Sequence, residues 1–179
     1  TGLLERVSQH VAAPLINTLR EQWSALTHLD EQIARIEQRL KQWMSTDSSA
    51  QAIGAIPGVG LLTATAAVAT IGDASAYKSG REFAASIGLV PRQVGSGGRT
   101  TLLGISKRGD AYLRTLLVHC ARVISVQLRS KHPWIEQLLK RRPYNVAIVA
   151  LANKLARVIW AVLARGKPYQ QDFVSTKPA

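Results

Sequence analysis

The sequence predicts a mostly α protein: a long coiled-coil helix, then a helical domain with a helix-hairpin-helix-like turn and a small glycine-rich hairpin. Three observations carry that expectation. Large apolar residues recur at heptad spacing from Leu15 to Met44, and the stretches 110–130 and 143–165 keep the apolar spacing of a helix. A single short run, Val94 to Gly104, sets β-branched residues around glycines as a strand pair would.

The opening residues, TGLLERVSQHVAAPL, lack a starting methionine and read as the interior of something longer, so the chain is expected to be a fragment. In the first helical run Leu19, Leu26, Ile33 and Leu40 recur at seven, as do Leu29, Ile36 and Trp43, with Gln22 as a flaw. That is a coiled-coil seam, whose partner is a second copy or another helix of the same chain. We expect self-association, with residues 1–47 as the oligomerisation region. Glu31 to Arg35 and Glu37 to Lys41 have the i,i+4 spacing that supports an exposed face. STDSSA, residues 45–50, ends the helix and offers caps for the next, which starts the main domain at 48.

Within that domain, residues 52–73 read as a short helix, a PGVG turn and an apolar helix. A loop and a helix from near Ser79 to Gly88 follow, then the glycine-rich hairpin. A helix over 110–130, a linker around Pro133 and a helix from Pro143 to Gly166 complete the domain at 166; residues 167–179 are a polar tail expected to be mobile. The most apolar stretch, 146–164, is broken by Asn153, Lys154 and Arg157, so it reads as a core helix and no membrane partner is expected.

Charge is distributed unevenly. Of the formal +12, residues 1–87 hold 7 Lys or Arg against 8 Asp or Glu, and residues 88–179 hold 16 against 3. Such an excess directs attention to a polyanion, because phosphates neutralised by cations release counterions. The lone Cys120 cannot form an internal disulfide and fits a reducing cytoplasm. After residue 88 the acids are Asp110, Glu136 and Asp172, on separate elements, so a carboxylate site for Mg²⁺ is not expected in this chain.

Three clusters carry candidate chemistry. In IPGVG, 56–60, Gly58 and Gly60 would let a phosphate approach the backbone at a helix N-terminus. The plain alternative is an αα-corner, and the absence of Lys or Arg between Lys41 and Lys78 leaves the backbone donors nearly alone. In PRQVGSGGRT, Ser96 sits in a glycine frame flanked by Arg92 and Arg99, with Lys107 and Arg108 beyond. A serine hydroxyl attacks phosphorus only where charge stabilises the pentacovalent state. The four histidines, His10, His28, His119 and His132, lie elsewhere in sequence, which disfavours a Ser-His-Asp hydrolase. The alternative is a basic hairpin that grips phosphate, its serine a turn residue. In ISKRGDAYLR, 105–114, Ser106 is positioned to cap a helix, with Lys107, Arg108 and Arg114 at its start as a phosphate clamp.

Taken together, IPGVGLLTATAAVATIGD and FAASIGLVPRQVGSGGRTTLLGISKRGDAYLRTLLVHCAR closely resemble the C-terminal transposase domain of IS-one-ten-type insertion-sequence transposases, also called DEDD transposases, over roughly 52–125. The resemblance implies a DNA recombinase of a serine type. In that family an N-terminal RuvC-like domain binds Mg²⁺ through four acids, the C-terminal serine joins covalently to DNA, and halves of the active site meet across a homo-oligomer. A structured noncoding RNA, the bridge RNA, pairs with donor and target DNA. The family motif is commonly SSGG or SG after P-R; here it is GSGG, so the nucleophile carries over to Ser96 and the first serine position is Gly95. The expected cofactor is none in this chain, with Mg²⁺ in the missing N-terminal domain, and the expected location is the bacterial cytoplasm, on the nucleoid. The rival expectation is a noncatalytic nucleic-acid-binding and oligomerisation module.

Overall fold

A computed structural model describes residues 12–96, 99–128 and 132–170. The chain divides into two compact units, residues 1–43 and 44–179.

In the first unit α1 (Ala13–Thr46) is a helix of 34 residues whose last residues, from Met44, belong to the second unit. Its seam residues Leu19, Leu26, Leu29, Ile33 and Ile36 are all exposed, as is Trp23. Local side-chain bonds dress the helix: Thr18 Oγ1 donates to Pro14 O and Thr27 Oγ1 to Trp23 O.

The second unit is built around α7 (Tyr144–Arg165), whose residues Ala147, Ile148, Leu151, Leu155, Ile159 and Val162 form a buried stripe at helical spacing. By length and composition α7 could cross a membrane, but its apolar stripe is the middle of the core. Against it pack α2 (Ser48–Gly54), α4 (Gly80–Ser86), α5 (Ala111–Gln127) and α6 (Pro133–Arg141), while α3 (Leu61–Ile71) packs on α2 and α5. Small residues make the close approaches: a Cβ at Gly80 would lie 3.0 Å from the Arg157 backbone. Phe83, fully buried, meets Tyr77 edge-on at 5.3 Å, and Trp160 Nε1 donates to Ala74 O in a short 3₁₀ turn (Ala74–Ala76).

The helix starts follow their caps. Asp47 accepts from Ala50 N at α2, and Ser79 accepts from Glu82 N at α4. Two expectations are corrected. The linker around Pro133 is in fact the first residue of α6, because proline lacks only an N–H that the first helical turn leaves unbonded. Ser106 does not cap α5; Asp110 does, accepting from Leu113 N at 3.0 Å, since Lys107 and Gly109 turn the intervening chain through positive φ before the helix begins. Lys107 and Arg108 therefore stand outside the helix, and the N-terminus is complemented by a carboxylate.

Candidate nucleic-acid interface

The glycine-rich run forms an antiparallel ribbon, β1 (Pro91–Ser96) with β2 (Arg99–Ile105), paired as Gln93 with Leu102, Val94 with Thr101, Gly95 with Thr100 and Ser96 with Arg99. A bulge between Pro91 and Gln93 adjusts the register near the base. Every described position from Pro91 to Gly95 and from Arg99 to Gly104 is exposed, so the ribbon stands clear of the core. The strand period of two puts Val94 on the opposite face from Gln93. The Ser96 side chain, with Gly97 and Gly98, lies outside the described residues; the Ser96 backbone pairs with Arg99 where the ribbon turns.

Gly95 has a steric reason. A Cβ there would lie 2.6 Å from the carbonyl oxygen of Arg99, so the tight pairing of this ribbon takes glycine at 95.

From Phe83 to Gly109 the chain has no Asp or Glu, and Arg92, Arg99, Lys107 and Arg108 are exposed within it. No anionic side chain of this segment offsets their field, which suits phosphate.

The ribbon's base is as restrained as its strands are free. Ser106 N donates to Val90 O at 2.9 Å and Lys107 N to Gly88 O at 3.1 Å. Gly88 and Gly109 both take positive φ, and a Cβ on either would collide with backbone: Arg108 in the first case, Ser86 in the second. Lys107, with φ 56°, holds a left-handed conformation that costs a non-glycine residue about 1–2 kcal/mol. Side chains from three helices then reach the base. Arg114 Nη1 of α5 donates to Ile87 O and to Arg108 O, each at 3.0 Å. Asn153 Nδ2 of α7 donates to Leu89 O at 3.0 Å, and Thr70 Oγ1 of α3 donates to Asp110 Oδ2 at 2.9 Å. The N–H of Leu113 is the main cause that holds the Asp110 carboxyl below the ordinary aspartate range; burial opposes it and Thr70 adds to it. Sequence reasoning missed Thr70 and Asn153. The one available signal was Asn153 itself, an amide interrupting an apolar helix.

The PGVG turn stands apart from the ribbon. Gly58, at φ 81°, packs its backbone against Ile124 near the far end of α5, where a Cβ would meet the Ile124 side chain. Gly60 precedes α3 with open space around it and no side-chain cap on that helix. Thr63 contacts Cys120 and Thr70 contacts Asp110, so α3 runs antiparallel to α5. Its N-terminus thus lies about 16 Å, one length of α3, from the ribbon base. The structure gathers Arg92, Arg99, Lys107, Arg108 and Arg114 on or beside the ribbon, and leaves Gly58 and Gly60 at the other end of the α3–α5 pair.

Beside the PGVG turn a shallow cleft is lined by Pro57, His132, Trp134, Lys154 and Tyr169. Lys154 Nζ sits 4.1 Å from the Trp134 ring centre, and burial, then Arg157, keeps its amine below the ordinary lysine range. Among the described residues no three His, Cys, Asp or Glu side chains cluster as a metal site would require.

Residues 50–139, from α2 to α6 and including the whole ribbon, match the Transposase IS116/IS110/IS902 family. The chain is 44% identical over 162 residues to a probable family 20 transposase of Pseudomonas aeruginosa, covering 88% of this chain and 48% of the relative. It is 46% identical to the transposase for insertion sequence element IS1328 of Yersinia enterocolitica, over 80% of this chain and 44% of that protein. With the transposase for insertion sequence element IS1111A of Coxiella burnetii the identity is 43%, over 83% and 42% respectively. The chain therefore spans about half the length of these relatives, and it belongs to the IS116/IS110/IS902 transposase family.

Proposed function

We propose that this chain is the serine-bearing part of a DNA transposase, and that Ser96 is its nucleophile. The observation that carries the reading is the ribbon: an exposed, acid-free hairpin that sets position 96 at its turn, paired with Arg99, on a base braced from three helices. In the reaction the Ser96 hydroxyl oxygen bonds to phosphorus as the bond from phosphorus to one deoxyribose oxygen breaks. The serine proton is released and the departing sugar oxygen leaves as a hydroxyl. The phosphoserine diester keeps the bond energy, so a sugar hydroxyl of another strand can attack it, restore serine and rejoin DNA. Arg92, Arg99, Lys107 and Arg108 offset charge on the phosphoryl oxygens. Gly58 and Gly60, at the far end of α3, would hold a second stretch of backbone.

Mg²⁺ would be held by the RuvC-like half of the protein, and no step here passes through it. The heptad seam of α1, exposed from Leu19 to Ile36, would align protomers of a homo-oligomer. Selection of donor and target DNA by a bridge RNA, and action in the bacterial cytoplasm, rest on the family resemblance.

The test is a trap for the covalent intermediate. With the complete transposase, its RNA, Mg²⁺ and nicked DNA, a denaturation-resistant adduct is expected with wild type and with Ser106→Ala, and none with Ser96→Ala. An adduct that survives Ser96→Ala would leave the ribbon as a phosphate grip and favour a noncatalytic binding module.

A further inference from the structure

We infer that Asn153, Arg114 and the Thr70–Asp110 pair are positioning residues that aim the ribbon, and that Arg114 serves there rather than as a phosphate ligand. The inference rests on the assignment of Ser96 as nucleophile. The ribbon's described positions are exposed from Pro91 to Gly95 and from Arg99 to Gly104, so its direction is set where it leaves the core. Its six-residue first strand reaches roughly 20 Å from that point. A tilt of about 5° at the base moves the turn by nearly 2 Å, and a misplacement of about 1 Å can cost on the order of 100-fold in rate.

The base is built against such a tilt. Arg114 Nη1 joins two segments, Ile87 on the way into the ribbon and Arg108 on the way out, by bonds of 3.0 Å to each carbonyl. Asn153 ties Leu89 to the core helix α7, and Thr70 ties Asp110, the start of α5, to α3. Four bonds from three helices fix a direction that any single one would leave free to rotate. Among the described residues the Asn153 side chain makes this one hydrogen bond, and its neighbours Ala152 and Leu155 are core, so the amide serves Leu89 and not helix packing.

The two possible roles of Arg114 separate in salt dependence. A phosphate contact contributes about 0.9 to the slope of log affinity against log salt, and a strut contributes nothing. In this chain, Arg114→Ala is expected to keep the slope of wild type, whereas Arg92→Ala and Arg99→Ala each lower it. In the complete transposase, Asn153→Leu and Arg114→Lys are expected to slow adduct formation by about 100-fold with DNA affinity within about twofold. A phosphate ligand would behave otherwise, because lysine keeps its charge and much of its rate. Hydrogen exchange supplies the independent readout: in Asn153→Leu the amides of Ser106 and Lys107 should exchange faster, while those in the middle of α5 do not.

A lower salt slope in Arg114→Ala, full adduct rate in Asn153→Leu, or a rate loss that follows lost affinity or lost thermal stability would each overturn the inference. Should the adduct persist in Ser96→Ala, the nucleophile assignment fails instead; exchange at Ser106 and Lys107 and the Arg114 salt slope still decide whether these side chains brace the base.

Discussion

Asp110 shows how much one side chain does at the ribbon base. Its carboxylate caps α5 through Leu113 N and accepts from Thr70, and both bonds favour the ionised form. Asp110→Ala should cost about 1 kcal/mol in denaturant unfolding, the usual loss for an N-cap. Because its pKa is lower folded than unfolded, its contribution is fully present above the unfolded value near 4 and is lost as pH falls through the folded one. The thermal midpoint of wild type should therefore fall on acidification below about pH 4 more steeply than that of Asp110→Asn. Gly109 makes the second case. Its positive φ and its contact with the Ser86 carbonyl leave no room for a Cβ, so Gly109→Ala should destabilise by well over about 1 kcal/mol. Gly60→Ala meets open space and ordinary φ, so any loss of DNA affinity there, with unfolding nearly unchanged, would assign a phosphate to the start of α3.

Whole elements were readable wherever local chemistry decides them. The heptads of α1, the PGVG corner, the Ser79 start of α4, the glycine-rich ribbon and the Pro143 and Gly166 limits of α7 all follow from periodicity and terminal residues within a few positions. α6 was missed because Pro133 reads as a breaker, although the same ring is well placed in a first turn. The Ser106 cap was misplaced because serine and aspartate four residues apart both qualify, and the choice lies in loop backbone that Gly88 and Gly109 determine. Of the braces of the ribbon base only Asn153 left a local trace, as an amide interrupting an apolar helix, and the bonds themselves were not legible. Except for the bond from Arg114 to Arg108, six positions apart, they join residues 27, 40 and 64 positions apart, and no local pattern encodes a bond that exists only once three helices have packed. The exposed seam of α1 carries a prediction of its own. If it pairs protomers, Leu26→Asn with Ile33→Asn should reduce the mass measured by light scattering, since polar residues at two adjacent heptads remove apolar knobs from the interface. An unchanged mass would place self-association elsewhere.

Across the molecule charge is distributed unevenly between the two halves. Residues 1–87 are nearly neutral and residues 88–179 carry 16 Lys or Arg against 3 acids, yet the ribbon and its base concentrate only four exposed cations, Arg92, Arg99, Lys107 and Arg108. Two distributions of binding are then distinguishable. If duplex DNA lies over the ribbon, these four supply most of the phosphate contacts, and replacing all four by alanine should lower the salt slope by about 3 to 4 and leave a weak residual affinity. If DNA instead spreads over the whole basic half, the same replacement removes a small part of a larger slope. Neutralising Arg20, Arg35 and Arg39 of α1 provides the comparison, for they are equally exposed cations on a helix whose charges nearly balance. A large drop confined to the ribbon set would locate the strand beside position 96, as attack by its serine requires; equal drops in both sets would mean that charge attracts DNA to this protein without bringing a phosphate to the ribbon's turn.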